Sequence, residues 1–133
     1  MKVLFVSNYP APYRVAFFNL LGEKIDVTVA FLENPEQQHH RSKEWFSLSF
    51  DNFKAIYLDN YKRIGKLKYS PELIDQIKKD YDYIVMCGYS DLPRMTAIYY
   101  MKHKKIDFYL EADGALLSSK NILKRLIKRS LIK

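Results

Sequence analysis

The order of apolar segments along this 133-residue chain predicts an α/β protein: a Rossmann-like open, mostly parallel sheet with helices on both faces. Strand-like runs alternate with helix-like ones. One run, YDYIVMC ending at Cys87, is continuously apolar at its centre, as expected of a strand covered on both sides. The last two strand-like runs are separated by a helix long enough for a parallel, right-handed crossover.

The first strand is KVLFVS at 2–7, followed by the loop NYPAPY at 8–13. A helix is predicted from Arg14 to Leu21, where Val15, Phe18, Leu21 and Phe17 fall at helical spacing and Gly22 supplies a stop. DVTVAFL at 26–32 and AIYL at 55–58 are the β-branched and apolar candidates for the next two strands. Residues 33–53 between them are polar and aromatic without a sustained period, which predicts a long loop.

Ser70-Pro71-Glu72 is a strong helix start, with Ser70 as N-cap, Pro71 in the first turn, and Leu73, Ile74 and Ile77 as the buried face to about Asp80. After YDYIVMC, Gly88 to Asp91 forms a turn, and RMTAIYYMKHKK is helical through about Lys104. IDFYLEA at 106–112 is the fifth predicted strand. NILKRLIKRSLIK at 121–133 places Ile122, Leu123, Leu126, Ile127 and Leu131 on one helical face and cations on another. The expected organisation is a Rossmann-like domain over 1–119 and a basic amphipathic helix over 120–133 leading towards a further domain.

Composition narrows the function. Apolar residues make up 48% of the chain, yet no run reaches the roughly 18 apolar residues of a membrane span. The apolar run VLFV at the N-terminus is too short for a signal-peptide core, so a cytoplasmic location is expected. The single cysteine, Cys87, has no partner for an internal disulfide and is expected as a small buried hydrophobe. The net charge of +7 is concentrated: Lys120, Lys124, Arg125, Lys128, Arg129 and Lys133 carry +6, leaving 16 basic and 15 acidic side chains in residues 1–119. That distribution argues against general nucleic-acid binding. It suits a helix lying on an anionic membrane, through Lys120, Lys124, Arg125, Lys128 and Arg129, as well as it suits an ordinary surface helix. YKRIGKLKY at 61–69 offers a second basic contact.

In a parallel sheet, ligands bind beyond the carboxyl ends of the strands. Three loops are therefore expected to converge: NYPAPY, GYSD at 88–91, and ADGALLSS at 112–119. The first holds Pro10 and Pro12 where a dinucleotide-binding loop holds glycines, and neither G-x-G-x-x-G nor G-x-x-x-x-G-K-[ST] occurs. A tightly bound nicotinamide or flavin cofactor and P-loop chemistry are thus not expected. Asn8 can donate to a sugar hydroxyl, and Arg14 near a helix start can pair with phosphate; alternatively both organise a proline turn. Glu111 and Asp113 flank Ala112 and share one side of an extended strand. They serve as a ligand-binding pair, or Asp113-Gly114 is a turn and Glu111 an ion-pair partner. Tyr89 stacks on a sugar ring or covers the core, and Ser90 or Asp91 caps the following helix. His39 and His40 point in different directions and have no second ligand cluster, so no metal is expected.

Taken together, VLFVSNYPAPYRVAFFNLLGEKIDVTVAFLE, Trp45 with FKAIYL, and YDYIVMCGYSDLPRMTAIYYMKHKKIDFYLEADGA resemble the N-terminal half of GT-B glycosyltransferases of glycosyltransferase family 4. Glu36 and Glu44 have the spacing of the paired glutamates of such enzymes, but in the family that pair belongs to the second domain. The resemblance implies transfer of a sugar, with retention and without a metal, from a nucleotide-sugar co-substrate to a glycan or lipid-linked acceptor. It further implies a C-terminal donor-binding domain or subunit as partner, and inactivity of this chain without it. By the same resemblance Asn8, Tyr9, Pro10, Pro12, Tyr13, Arg14, Gly88, Tyr89, Ser90, Glu111, Asp113 and Gly114 shape the acceptor side of the cleft, with Asp113 the one weak catalytic candidate. The competing expectations are a non-catalytic flavodoxin-like interaction module and a peripheral membrane-binding module. A phosphorylated receiver is disfavoured by SNYPAP standing where its acidic cluster belongs.

Overall fold

The computed structural model describes residues 1–33, 49–89 and 91–111. Ser90, Asp113, Gly114, the loop 112–119, the basic segment 120–133, Glu36, Glu44, Trp45 and the two adjacent histidines lie outside the described residues, so the readings placed on them stay expectations.

The elements are strand β1 (Lys2–Ser7), helix α1 (Pro12–Gly22), β2 (Asp26–Phe31), β3 (Lys54–Tyr57), β4 (Lys62–Ile64), β5 (Leu67–Tyr69), α2 (Pro71–Ile77), β6 (Tyr83–Cys87), α3 (Leu92–Lys104) and β7 (Tyr109–Glu111). Five strands form one sheet in the order β3-β2-β1-β6-β7, and every pairing in it is parallel. β1 is central: from it the chain builds outwards to β2 and β3, then returns to its other side with β6 and β7. The strand order therefore reverses between β1 and β6, which is where a parallel sheet opens a crevice for ligands.

The strand period of two divides the core into two layers. Val3, Phe5, Val27, Val29 and Phe31 face α1, meeting Val15 and Phe18, and the rings of Phe5, Phe18, Phe31 and Phe53 lie in contact. Leu4, Val6, Ala30, Ile84 and Met86 face the opposite way, towards Leu73 and Ile77 of α2 and Ala97, Ile98 and Met101 of α3. Helices thus cover both faces. The side chain of Asn19 ties α1 to the approach to β3: its amide donates to the Ser49 carbonyl at 2.9 Å, and its oxygen accepts from the Asp51 and Asn52 amides at 3.0 and 3.2 Å.

Several element boundaries, and the burial of β6, differ from the sequence reading. α1 begins at Pro12, two residues early, because a proline in the first turn loses no hydrogen bond and has a φ already suited to a helix. Pro12 and Tyr13 consequently belong to the helix and not to the loop. α2 stops at Ile77 and passes into turn hydrogen bonds at Lys78 and Lys79. β7 starts at Tyr109, three residues later than predicted, with Ala112 outside the described residues. β6 lies inside the sheet as expected, but only Ile84 and Met86 are buried; Tyr83 is 43% exposed, with Val85 and Cys87 half-buried on the α1 side.

The pairing of β4 with β5 is absent from the sequence reading. It is an antiparallel hairpin with Lys62 opposite Tyr69, Arg63 opposite Lys68 and Ile64 opposite Leu67. Gly65 takes a φ of 62° at the first position of the two-residue turn, where a side chain would be strained. Strands of three residues, dominated by cations, show too little alternation to be recognised from the chain alone.

Candidate functional site

Side chains converge at the carboxyl ends of the strands in two groups. The first is centred on Arg94, in the first turn of α3, which is 4% exposed. Asp91 caps α3, its Oδ1 accepting from the Arg94 amide at 2.9 Å, while its other oxygen takes the guanidinium. A cation at a helix N-terminus opposes the helix dipole, and the Asp91 carboxylate offsets that conflict. The same guanidinium donates to the Cys87 carbonyl and reaches Asn8 Oδ1 at 3.4 Å. One buried side chain therefore joins the loop after β1, the end of β6 and the start of α3 across the point where strand order reverses. Gly88 makes room for it. Its φ is 98°, and a Cβ there would lie 2.8 Å from the Arg94 guanidinium nitrogen.

The second group closes α1 onto the far edge of the sheet. Arg14 and Glu111 pair bidentately at 2.8 and 3.0 Å, and the guanidinium also stands 5.2 Å from the centre of the Phe18 ring. Hydrogen bonding to Arg14 holds the Glu111 carboxyl below the usual carboxylate range, partly opposed by burial. The same bond raises Arg14 further above its already high value. Burial, reinforced by Glu111, pushes the Cys87 thiol up to about 12, so the cysteine stays protonated at neutral pH.

Between β1, β2, β3, the hairpin and α3 lies a cavity of about 320 Å³. Leu32, Leu58 and Pro93 give it an apolar floor, and Asn8, Glu33, Asp59, Asp91 and Lys68 contribute polar groups. Tyr61 forms one wall, donating its hydroxyl to the Leu32 carbonyl, with the Lys68 ammonium 4.5 Å from the centre of its ring. Burial first, and then the negative charges of Asp91, Glu33, Asp59 and Glu72, raise the Tyr61 hydroxyl to about 12. With Arg94 committed to Asp91, Glu33 and Asp59 outnumber Lys68 among the described residues that line this space.

Of the residues singled out in the sequence, Asn8, Gly88, Arg14 and Glu111 come to the same end of the sheet. The structure takes the ion-pair alternative for Glu111, and Arg14 is spent on that pair instead of standing ready for a phosphate. Tyr89 is buried at 8% in the α2–α3 layer, covering the core. Asp91 is the cap of α3. Pro10 is buried, Tyr9 half-buried, and Tyr13 is 74% exposed on α1. Sequence reasoning passed over Arg94 and Asp59, and took in Tyr61 and Lys68 only as part of the basic segment 61–69. The tripeptide Asp91-Leu92-Pro93 is a helix start that points towards Arg94, whereas the Tyr61 wall depends on the hairpin.

Among the described residues no helix is long and apolar enough to cross a membrane, and no group of three metal-ligating side chains is found. No protein-family model, curated protein or solved structure matches the chain.

Proposed function

We propose that this chain is the acceptor-side domain of a retaining glycosyltransferase of the GT-B type, which takes a sugar from a nucleotide-sugar donor and delivers it to a glycan or lipid-linked acceptor. The observation that carries this reading is the cavity beside the strand-order reversal. Its apolar floor suits the C–H face of a sugar ring, and its carboxylates suit hydroxyl donors. The same excess of carboxylates disfavours a diphosphate, so the nucleotide part of the donor belongs to a second domain or subunit facing this one. Arg94 and the Arg14–Glu111 pair then hold the cleft wall in shape and do not touch the donor.

Saturation-transfer NMR of the chain with neutral oligosaccharides and with nucleotide sugars tests this division. Neutral glycans are expected to bind saturably, and Asp59→Asn to weaken them about tenfold, the loss of one charge-assisted hydrogen bond. Tight binding of nucleotide sugars alone, unaffected by Asp59→Asn, would overturn the assignment. Joined with its donor-binding domain, the same variant should raise the acceptor KM and leave the donor KM unchanged.

A further inference from the structure

We propose that the β4–β5 hairpin is a docking element that sets its tip on an anionic lipid surface. This inference is independent of the sugar-transfer reading. Lys62, Arg63, Ile64, Gly65 and Lys66 are all exposed, and Ile64 at the tip is 66% exposed. Residues 61–69 contain four cations and no acid. Arg63 stands opposite Lys68 in the pairing, and while the Lys68 ammonium lies over the Tyr61 ring beside the cavity, Lys62, Arg63 and Lys66 remain exposed. An aliphatic tip ringed by cations matches the boundary between anionic headgroups and acyl chains, where the apolar group enters and the charges remain at the surface.

The hairpin is also held ready. Tyr61 bonds to the Leu32 carbonyl at its base, and Thr96 Oγ1 of α3, which donates to the Leu92 carbonyl at 2.8 Å, lies 3.3 Å from the Lys68 carbonyl. A two-residue turn closes its end, so little ordering is left to be done on contact. Nucleic acid is the other polyanion to weigh, and the surroundings disfavour it. A strand of phosphates running past the hairpin would meet the Asp59 carboxylate at the adjoining cavity. The tip residue is aliphatic, without the aromatic face on which bases stack. Because Tyr61 and Lys68 belong to both hairpin and cavity, docking brings the cavity close to the headgroup layer.

Co-sedimentation of the whole chain with vesicles of phosphatidylcholine alone, and of phosphatidylcholine mixed with phosphatidylserine, tests the proposal. Each cation is expected to contribute about fivefold to partitioning, so the combined Lys62→Ala, Arg63→Ala, Lys66→Ala variant should bind the mixed vesicles roughly a hundredfold more weakly. Ile64→Ser should lower binding about fivefold, with the loss persisting in high salt. Thermal melts of both variants should match the parent, since these side chains are exposed. An environment-sensitive dye on Ile64→Cys should shift to the blue on mixed vesicles, and the same dye on Glu23→Cys, at the far end of α1, should not. Unchanged partitioning of the triple variant would assign any membrane binding to another part of the chain and overturn the proposal. Equal binding to neutral vesicles, an unshifted dye at position 64, or displacement from vesicles by DNA that depends on these three cations would overturn it as well.

Discussion

Two arginine–carboxylate pairs stand at the same end of the sheet and are built in opposite ways. Arg94 and Asp91 are three residues apart, and the Arg94 side chain is 5% exposed. Arg14 and Glu111 are 97 residues apart, with side-chain exposures of 16% and 35%. The pair that is local in sequence reaches furthest in space, since Arg94 also holds the Cys87 carbonyl and Asn8. The pair that spans most of the chain fastens α1 to β7 beside Phe18 and Cys87. Sequence separation therefore says little about how much depends on an ion pair. Burial and the number of polar groups left behind decide that.

The contrast can be broken most sharply at Arg94. Arg94→Ala leaves the Asp91 carboxylate, the Cys87 carbonyl and Asn8 without their shared donor. It should cost about 3 kcal/mol, the low end for a broken buried pair because Asp91 keeps some contact with water. Urea denaturation measures this, and a loss under about 1 kcal/mol would show that Arg94 does not organise the three loops. Arg94→Lys should recover only part of the loss, since an ammonium cannot span the same fork of acceptors.

Gly88→Ala should follow, at about 2 kcal/mol. Part is the strain of a side chain at a φ of 98°, and part is displacement of the guanidinium, whose nitrogen a Cβ would approach to 2.8 Å. In a double-mutant cycle with Arg94→Ala the two losses should fall short of additivity. Strict additivity would mean that Gly88 acts through its backbone alone.

The smallest effect is expected at the long-range pair. Arg14→Ala should cost about 1 kcal/mol, reduced by screening because Glu111 is partly open to water. Its pH dependence tests the pairing. The folded Glu111 carboxyl lies below its unfolded value of 4.5, so the contribution is complete above the unfolded pKa and is lost as pH falls through the folded one. The stability gap between parent and Arg14→Ala should therefore be flat near neutrality and close on acidification below about pH 4.5. A gap that widens in acid would contradict the pairing.

These pairs also show what can be read from a chain and what cannot. A cap for α3 is legible to within one residue, Ser90 or Asp91, because Pro93 follows, and the structure takes Asp91; Ser70-Pro71 announces α2 without ambiguity. Arg94 is not legible, because an arginine on the first turn of a helix is ordinarily a solvated charge. For Glu111, ligand and ion-pair roles remain equal until Arg14 is brought beside it from the other end of the described chain. The β4–β5 hairpin escaped notice because three-residue strands give no periodicity, and the Tyr61 wall of the cavity escaped with it.

By itself, the sequence determined the alternation of strands and helices, the proline, glycine and capping signals at their ends, and the two apolar layers of the sheet. All of these follow from interactions within a few residues of the chain. Only the tertiary structure decided that β1 lies between β2 and β6, that Arg94 fills the space left by Gly88, and that the hairpin closes a carboxylate-bearing cavity. Those arrangements are contacts between distant residues, set by how the layers fit together and by the need to give every buried charge its partners.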